Sequence, residues 1–350
     1  MKEKVKYLLF FVPVSIILAY MKDDSLETFI TSAVAIAPLA LYMNQYIDKV
    51  ASNLGSRWGG LLSVSFGNAT ELIISLFAIR DGLLSVVKAA ITGSIIMNLL
   101  FVLGLCFFFG GIKNRTQSFD RVVAITNSAM LMLAVTGMLI PAIFYSGSAN
   151  IQTLVLGRLS LGVGSVLFFT YLASLYFTLF VYEREKNSFS QKKEENPDKK
   201  MMLTQIATLF TVTVLIAVEA NFLVSSIETI SEKTTMSPEF IGIIIIPIIS
   251  NVAENFTAVN MAWQDKINLS INIAIGSSIQ VALMLVPLLI FFSYFMGNPM
   301  NVLFNILEIS SIFMSVLAIN VVYLQGKSNW FEGLQLVAAY LIIALAYYFA

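Results

Sequence analysis

The sequence predicts an all-α integral membrane protein: eleven transmembrane helices, arranged as two inverted five-helix repeats behind an extra N-terminal helix. Three observations carry that prediction: the composition, a succession of apolar segments of bilayer length, and two matching polar motifs in opposite halves of the chain. Of the 350 residues, 58% are hydrophobic and only 12% are charged; the mean hydropathy is +0.83. A soluble domain carries about 25% charged residues, and a chain with half that share cannot cover a water-facing surface.

The same composition closes several functional classes. The chain has no histidine, which excludes a Ser-His-Asp triad, a histidine-ligated zinc and a histidine proton relay. Its one cysteine, Cys106, can form neither an internal disulfide nor a multi-thiolate metal site. Twenty-one basic residues balance twenty-one acidic ones, leaving no bulk charge to attract nucleic acid. There is no G-x-x-x-x-G-K-[ST] loop to bind ATP, and no cofactor is expected. Uphill movement of a solute would have to draw on another gradient.

A hydrocarbon core of about 30 Å requires roughly 20 apolar residues of helix. Segments of about that length fall at 5–21, 26–45, 59–79, 83–109, 122–145, 159–182, 203–228, 238–262, 269–295, 302–324 and 330–349. The first follows Lys2, Lys4 and Lys6 like a signal peptide, but no A-x-A cleavage pattern comes after it, so it reads as a helix. With the N-terminus inside, sixteen Lys and Arg residues lie on the inner side and five on the outer. The positive-inside rule therefore places the N-terminus in the cytoplasm and the C-terminus outside. The absence of eukaryotic targeting signals points to a prokaryotic plasma membrane. The polar run 183–200, EREKNSFSQKKEENPDKK, reads as a solvated cytoplasmic linker. The expected units are thus an extra helix in 1–25, a first repeat in 26–182, this linker, and a second repeat in 201–350.

Buried charge marks the functional centre, because an ionised carboxylate at mid-bilayer costs about 2.5–3.5 kcal/mol on insertion scales. The third segment contains one such charge, Glu71, and the eighth contains one, Glu254. Gly67-Asn68-Ala69-Thr70-Glu71 matches Ser250-Asn251-Val252-Ala253-Glu254 at an offset of 254 − 71 = 183 residues. The same offset carries Gly93 to Gly276, Ser94 to Ser277 and Leu100 to Leu283. A constant register through two helices and their loop defines an internal repeat. Five crossings per unit invert the second copy, and inverted repeats of this kind place a transport site at the midplane. Gly67 with Asn68, and Ser250 with Asn251 behind Pro247, are poor helix interiors, so each of these spans is expected to break there.

Two glutamates and two asparagines form a hard-oxygen set that suits Ca²⁺, which takes about six to eight oxygens. Soft metals would require ligands that are missing here. Ser94 and Asn98 share one helix face, as do Ser277 and Gln280, and these residues are expected to flank the site. Asn98 and Gln280 would serve equally well as interhelical glue, and Ser94, Ser277 and Ser278 as small packing residues. Glu219 and Glu308 also interrupt apolar stretches and are candidates for proton access. A divalent cation would cancel two carboxylates; on its departure the two close anions repel and protons enter. Protons and Ca²⁺ competing at a site open to one side at a time constitute antiport.

At these residues the chain resembles the Ca²⁺/H⁺ (cation/proton) exchangers. The first signature of that family is similar to Gly59–Ile73, continuing through Gly93-Ser94-Ile95-Ile96-Met97-Asn98-Leu99-Leu100 to Gly110-Gly111. The second is approached by Phe240-Ile241-Gly242, Pro247-Ile248, Asn251 to Glu254, and Gly276 to Gln280. The resemblance implies Glu71 and Glu254 as carriers of Ca²⁺ and H⁺, Asn68 and Asn251 beside them, and sliding of the second and seventh spans during alternating access. Ser250 replaces a usual glycine and Asn255 a usual histidine, so no role of that histidine carries over. The linker, acidic in the family, is diluted here by Lys192, Lys193, Lys199 and Lys200.

Three other readings fit the sequence less well. Na⁺-driven exchange of Ca²⁺ or another divalent cation fits the same plan, although such exchangers usually carry a proline directly before the motif acid, where Thr70 and Ala253 stand here. An intramembrane aspartyl protease needs paired mid-span aspartates, and the chain has none. A passive channel is disfavoured by inverted repeats with interrupted helices. The lipid bilayer is the one certain partner, and the sequence leaves a monomer and a homo-oligomer equally open.

Overall fold

The computed structural model describes residues 7–21, 25–147, 153–182 and 199–350. Most of the expected linker lies outside them, but its last two residues, Lys199 and Lys200, already belong to a helix. In chain order the helices are α1 (Phe11–Met21), α2 (Leu26–Asn53), α3 (Gly55–Phe66), α4 (Ala69–Arg80), α5 (Leu84–Asn114), α6 (Arg121–Gly147) and α7 (Thr153–Tyr176). The second half continues with α8 (Lys199–Ser225), α9 (Ile227–Lys233), α10 (Pro238–Ser250), α11 (Val252–Trp263), α12 (Ile267–Phe295), α13 (Ile306–Gln325) and α14 (Trp330–Phe349). Among the described residues, 8 helices are long and apolar enough to cross a membrane, or up to 10 crossings when two bent pairs each count as one. α1 is a shorter apolar helix.

Local chemistry explains where these elements begin and end. Ser25 caps α2 by accepting the Thr28 amide at 3.1 Å. α2 runs on to Asn53, past the expected end at residue 45, because Met43, Ile47, Val50 and Ala51 keep a buried stripe at helical spacing through the polar stretch. α13 starts at Ile306 rather than at 302, since Asn305 and Glu308 form a reciprocal capping box there. The chain between α12 and α13 is a loop that buries Met300, Val302 and Phe304. Asn329 and Glu332 form a second capping box, at the head of α14. Gly326 ends α13 in the left-handed region (φ 68°), the ordinary glycine stop for a helix.

α5 and α12, at equivalent positions in the two halves, are the most buried long spans, whereas α7, α8 and α14 are mostly exposed. α4 and the bent pair α10/α11 lie against this central pair, α3 packs on α2, and α2 packs along α8. Small residues set the closest approach: a Cβ on Gly93 of α5 would fall on the Ile243 backbone, and one on Gly242 of α10 would meet Ala89 and Val86 at 2.8–3.4 Å. A short antiparallel pair, β1 (Thr116–Ser118) and β2 (Lys327–Asn329), joins the α5–α6 loop to the α13–α14 loop with Thr116 opposite Asn329.

The ends of the two broken spans are capped in equivalent fashion. Asn298 Nδ2 donates to the Ile79 and Arg80 carbonyls at the end of α4. Gln117 Nε2 and Lys113 Nζ donate to the Ala262 and Trp263 carbonyls at the end of α11. Residues 79 and 80 correspond to 262 and 263 at the 183-residue offset, and in both cases the donors come from the last turn of a central helix or the loop after it.

Candidate ion-binding site

Both broken spans bend where the sequence places poor helix formers: α3 and α4 meet at 40°, and α10 and α11 at 63°. Asn68 and Asn251 occupy the joints with φ near −100° and non-helical ψ. Each bend therefore creates a new helix N-terminus inside the protein. Glu71 and Glu254 lie in the first turns of α4 and α11, where exposed amide dipoles favour an anion.

The asparagines cross between the halves. Asn251 Nδ2 of the second half donates to Glu71 Oε1 at 2.5 Å and lies 3.1 Å from Ser94 Oγ, both in the first half. Ser94 Oγ donates to the same Glu71 Oε1 at 2.5 Å. In the reverse direction, Asn68 Nδ2 donates to Gln280 Oε1 at 3.3 Å, and Ser277 Oγ donates to Asn68 Oδ1 at 3.2 Å. Asn98 Nδ2 completes this arm by donating to Ser277 Oγ at 3.2 Å. Ser277 also faces the Glu254 carboxylate, as its counterpart Ser94 faces Glu71.

Glu71 is only 6% exposed, and Asn68, Ser94, Asn98, Ser250, Asn251 and Ser277 are buried with it. Glu254, Gly67 and Gln280 are half-buried. A methyl group on Gly67 would stand 3.2 Å from Gln280 Oε1 and 3.8 Å from Glu254 Oε1, so the missing side chain leaves room for both. One oxygen of each acid, Glu71 Oε2 and Glu254 Oε2, is buried without a hydrogen-bond partner among the described residues. Buried polar atoms are normally satisfied, and such exceptions require an explanation. No group of three or more His, Cys, Asp or Glu residues that could hold a metal occurs among the described residues.

Of the residues expected at the site, the structure brings together Glu71, Glu254, Gly67, Asn68, Ser94, Asn98, Ser250, Asn251, Ser277 and Gln280. It does not bring Glu219 or Glu308 to them. Glu219 turns onto α1, where Ser15 Oγ donates to its Oε1 at 2.6 Å. Glu308 accepts the Asn305 amide at 2.7 Å as part of its own helix cap. The sequence reading passed over Ser75, which lines a cavity with Glu71, Ser94 and Ser250. The signal was available, because Ser75 is four residues beyond Glu71 on the same helix face.

Two broken helices, each placing an acid in the first turn after its break, form the kind of interrupted span that lines ion sites in transporters. The profile of the sodium/calcium exchanger protein family matches residues 25–180 and 204–349. The chain is 38% identical to a Ca²⁺/H⁺ antiporter of Aphanothece halophytica, the match covering 98% of this chain and 95% of that one. It is 37% identical to the Ca²⁺/H⁺ antiporter ChaA of Bacillus subtilis, covering 96% of each. The solved structure of native YfkE superposes with a TM-score of 0.86 at 34% identity, covering 99% of both chains. An H⁺/Ca²⁺ exchanger CAX structure, at 13% identity and TM-score 0.71, covers 99% of this chain and 92% of the other and shares the fold. The protein therefore belongs to the sodium/calcium exchanger family, and within it to the Ca²⁺/H⁺ antiporter group.

Proposed function

We propose that this protein is a secondary active transporter that exchanges Ca²⁺ for H⁺ by alternating access. The observation that carries this reading is the pair of buried, unpartnered carboxylate oxygens, Glu71 Oε2 and Glu254 Oε2. Ser94 and Asn251 both engage Glu71 Oε1, which orients the carboxylate and leaves Oε2 for a cation or a proton. Ca²⁺ neutralises the two acids and draws further oxygens from the Asn68 and Gln280 amides. When it leaves, two uncompensated anions in a low-dielectric site are costly, and protons take the same oxygens. Occupancy by one substrate therefore excludes the other, which couples the two fluxes without ATP.

The repeats 26–182 and 201–350 form the inverted five-helix units of this reading, with α1 as an eleventh crossing. The N-terminus is cytoplasmic and the C-terminus outside, in a prokaryotic plasma membrane. α2 and α8, packed along each other, are the sliding pair. Glu219 and Glu308 enter as anchoring residues, the first holding α1 against α8 and the second capping α13.

The test is ⁴⁵Ca²⁺ uptake into proteoliposomes under an imposed pH gradient and, separately, a Na⁺ gradient. Uptake driven by the pH gradient alone, and lost in Glu71→Gln and Glu254→Gln, is the expected result. Uptake driven only by Na⁺ would replace the coupling ion while keeping the site. Flux indifferent to both gradients and to both substitutions would remove the transport reading altogether.

A further inference from the structure

The two halves of the site differ at positions that the internal repeat makes equivalent. Glu71 borders a cavity of about 10 Å³, lined also by the hydroxyl-bearing residues Ser75, Ser94 and Ser250 and by the apolar Ile91, Ile246 and Leu285. That volume has room for a single water, which needs two to four polar partners to be held. Ser75, Ser94 and Ser250 are 4%, 2% and 7% exposed. Ser94 spends its proton on Glu71 Oε1; Ser250 also faces the Glu71 carboxylate, and its bond to the Pro247 carbonyl is a long 3.5 Å. Glu71 Oε2 has no protein partner. At the 183-residue offset, Ser75 corresponds to Ala258 and Ser250 to Gly67. The Glu254 half therefore lacks both extra hydroxyls and presents the Gln280 amide oxygen beside Gly67 instead.

We propose that Ser75 and Ser250 hold one water beside Glu71, which the transported cation keeps as a ligand, and that these two serines thereby set which divalent cation is accepted. The proposal rests on the exchange reading above and adds a selectivity element to it. Even if Glu71 Oε1 turns from Ser94 and Asn251 to the cation, two carboxylates and two amide oxygens offer no more than about six donor atoms, enough for an octahedral ion such as Mn²⁺, whereas Ca²⁺ gains from about seven or eight. A held water supplies the difference on the side where serine hydroxyls stand and Met97 takes the place of the Gln280 amide.

The test compares wild type with Ser75→Ala, Ser250→Gly, the double variant and Ser75→Thr in pH-gradient-driven uptake of Ca²⁺ and of Mn²⁺. Ser75→Thr keeps the hydroxyl but puts a methyl group where the water would sit, which separates a water-holding serine from one that binds the ion directly. The double variant should raise KM for Ca²⁺ about tenfold, the loss of roughly one water-mediated contact, and should leave KM for Mn²⁺ within about twofold. Ser75→Thr should resemble Ser75→Ala. The proposal is overturned if Ser75→Thr matches wild type while Ser75→Ala is impaired, if Ca²⁺ and Mn²⁺ uptake fall equally, or if no variant changes KM. Loss of wild-type Ca²⁺ uptake under the pH gradient would overturn the exchange reading and this one with it. The variant outcomes overturn the water alone.

Discussion

The Glu71 and Glu254 half-sites are built from one repeated frame and finished with different chemistry. In both, a glutamate sits in the first turn after a broken helix, a serine from the adjacent central helix faces it, and an asparagine at the break reaches into the other half. Glu71 is enclosed and held by two hydrogen bonds from Asn251 and Ser94. Glu254 is half-buried, with Ser277 facing it, beside a glycine and the Gln280 amide. The position equivalent to Gln280 in the first half is Met97, which is buried and cannot ligate. The two halves share this geometry and differ in a few side chains, the Glu71 half more enclosed and richer in hydroxyls, the Glu254 half less enclosed and carrying the Gln280 amide.

The comparison can be broken most severely by removing either charge. Glu71→Gln and Glu254→Gln should each cut Ca²⁺ flux by about 100-fold or more, because each leaves one buried acid and the cation without its partner. Equal losses would show that both halves carry the ion; a loss confined to one would assign transport to that half alone.

Next in size is the asparagine pair. Asn251→Ala removes a hydrogen bond to a carboxylate and should cost about 1.5–3 kcal/mol in the stability of the ion-free protein, whereas Asn68→Ala removes bonds between neutral groups and should cost about 1 kcal/mol. Thermal unfolding of both variants without Ca²⁺ sharpens the contrast, and equal costs would deny that the two asparagines meet partners of different charge.

The equivalent glycines Gly93 and Gly276 provide a packing version of the same test. A Cβ on Gly93 would drive into the Ile243 backbone, while one on Gly276 meets nothing within 4 Å. Gly93→Ala should destabilise the protein by about 1–3 kcal/mol in thermal unfolding followed by size-exclusion chromatography, and Gly276→Ala should be near neutral. Smallest of all is Glu308→Ala, which removes half of the α13 capping box. A loss of about 0.5–2 kcal/mol in stability with unchanged coupling is expected; a loss of coupling at full stability would return Glu308 to the proton path.

Much of this was legible in the residues. Composition and segment length specified a multispanning helical protein, because a bilayer tolerates only backbone that satisfies itself. The constant offset between Asn68-x-x-Glu71 and Asn251-x-x-Glu254 located the acids and the breaks. Segment ends were less legible: α2 continues past polar Asn44 and Asp48 since hydropathy averages over faces that packing separates. Glu219 and Glu308 looked like Glu71 by the same criterion of a charge in an apolar stretch. What distinguishes them is their contacts, with Ser15 two hundred residues away and with a helix cap.

The sequence by itself thus determined that the chain spans a membrane and that two acids recur in one motif at a constant offset, since those properties reside in composition and in local spacing. Only the tertiary structure decided that each asparagine reaches the opposite half, that Glu71 is more fully enclosed than Glu254, and that Ser75 shares a cavity with Ser250. Those are contacts between residues up to 212 positions apart, and no local pattern encodes which faces of two helices will meet.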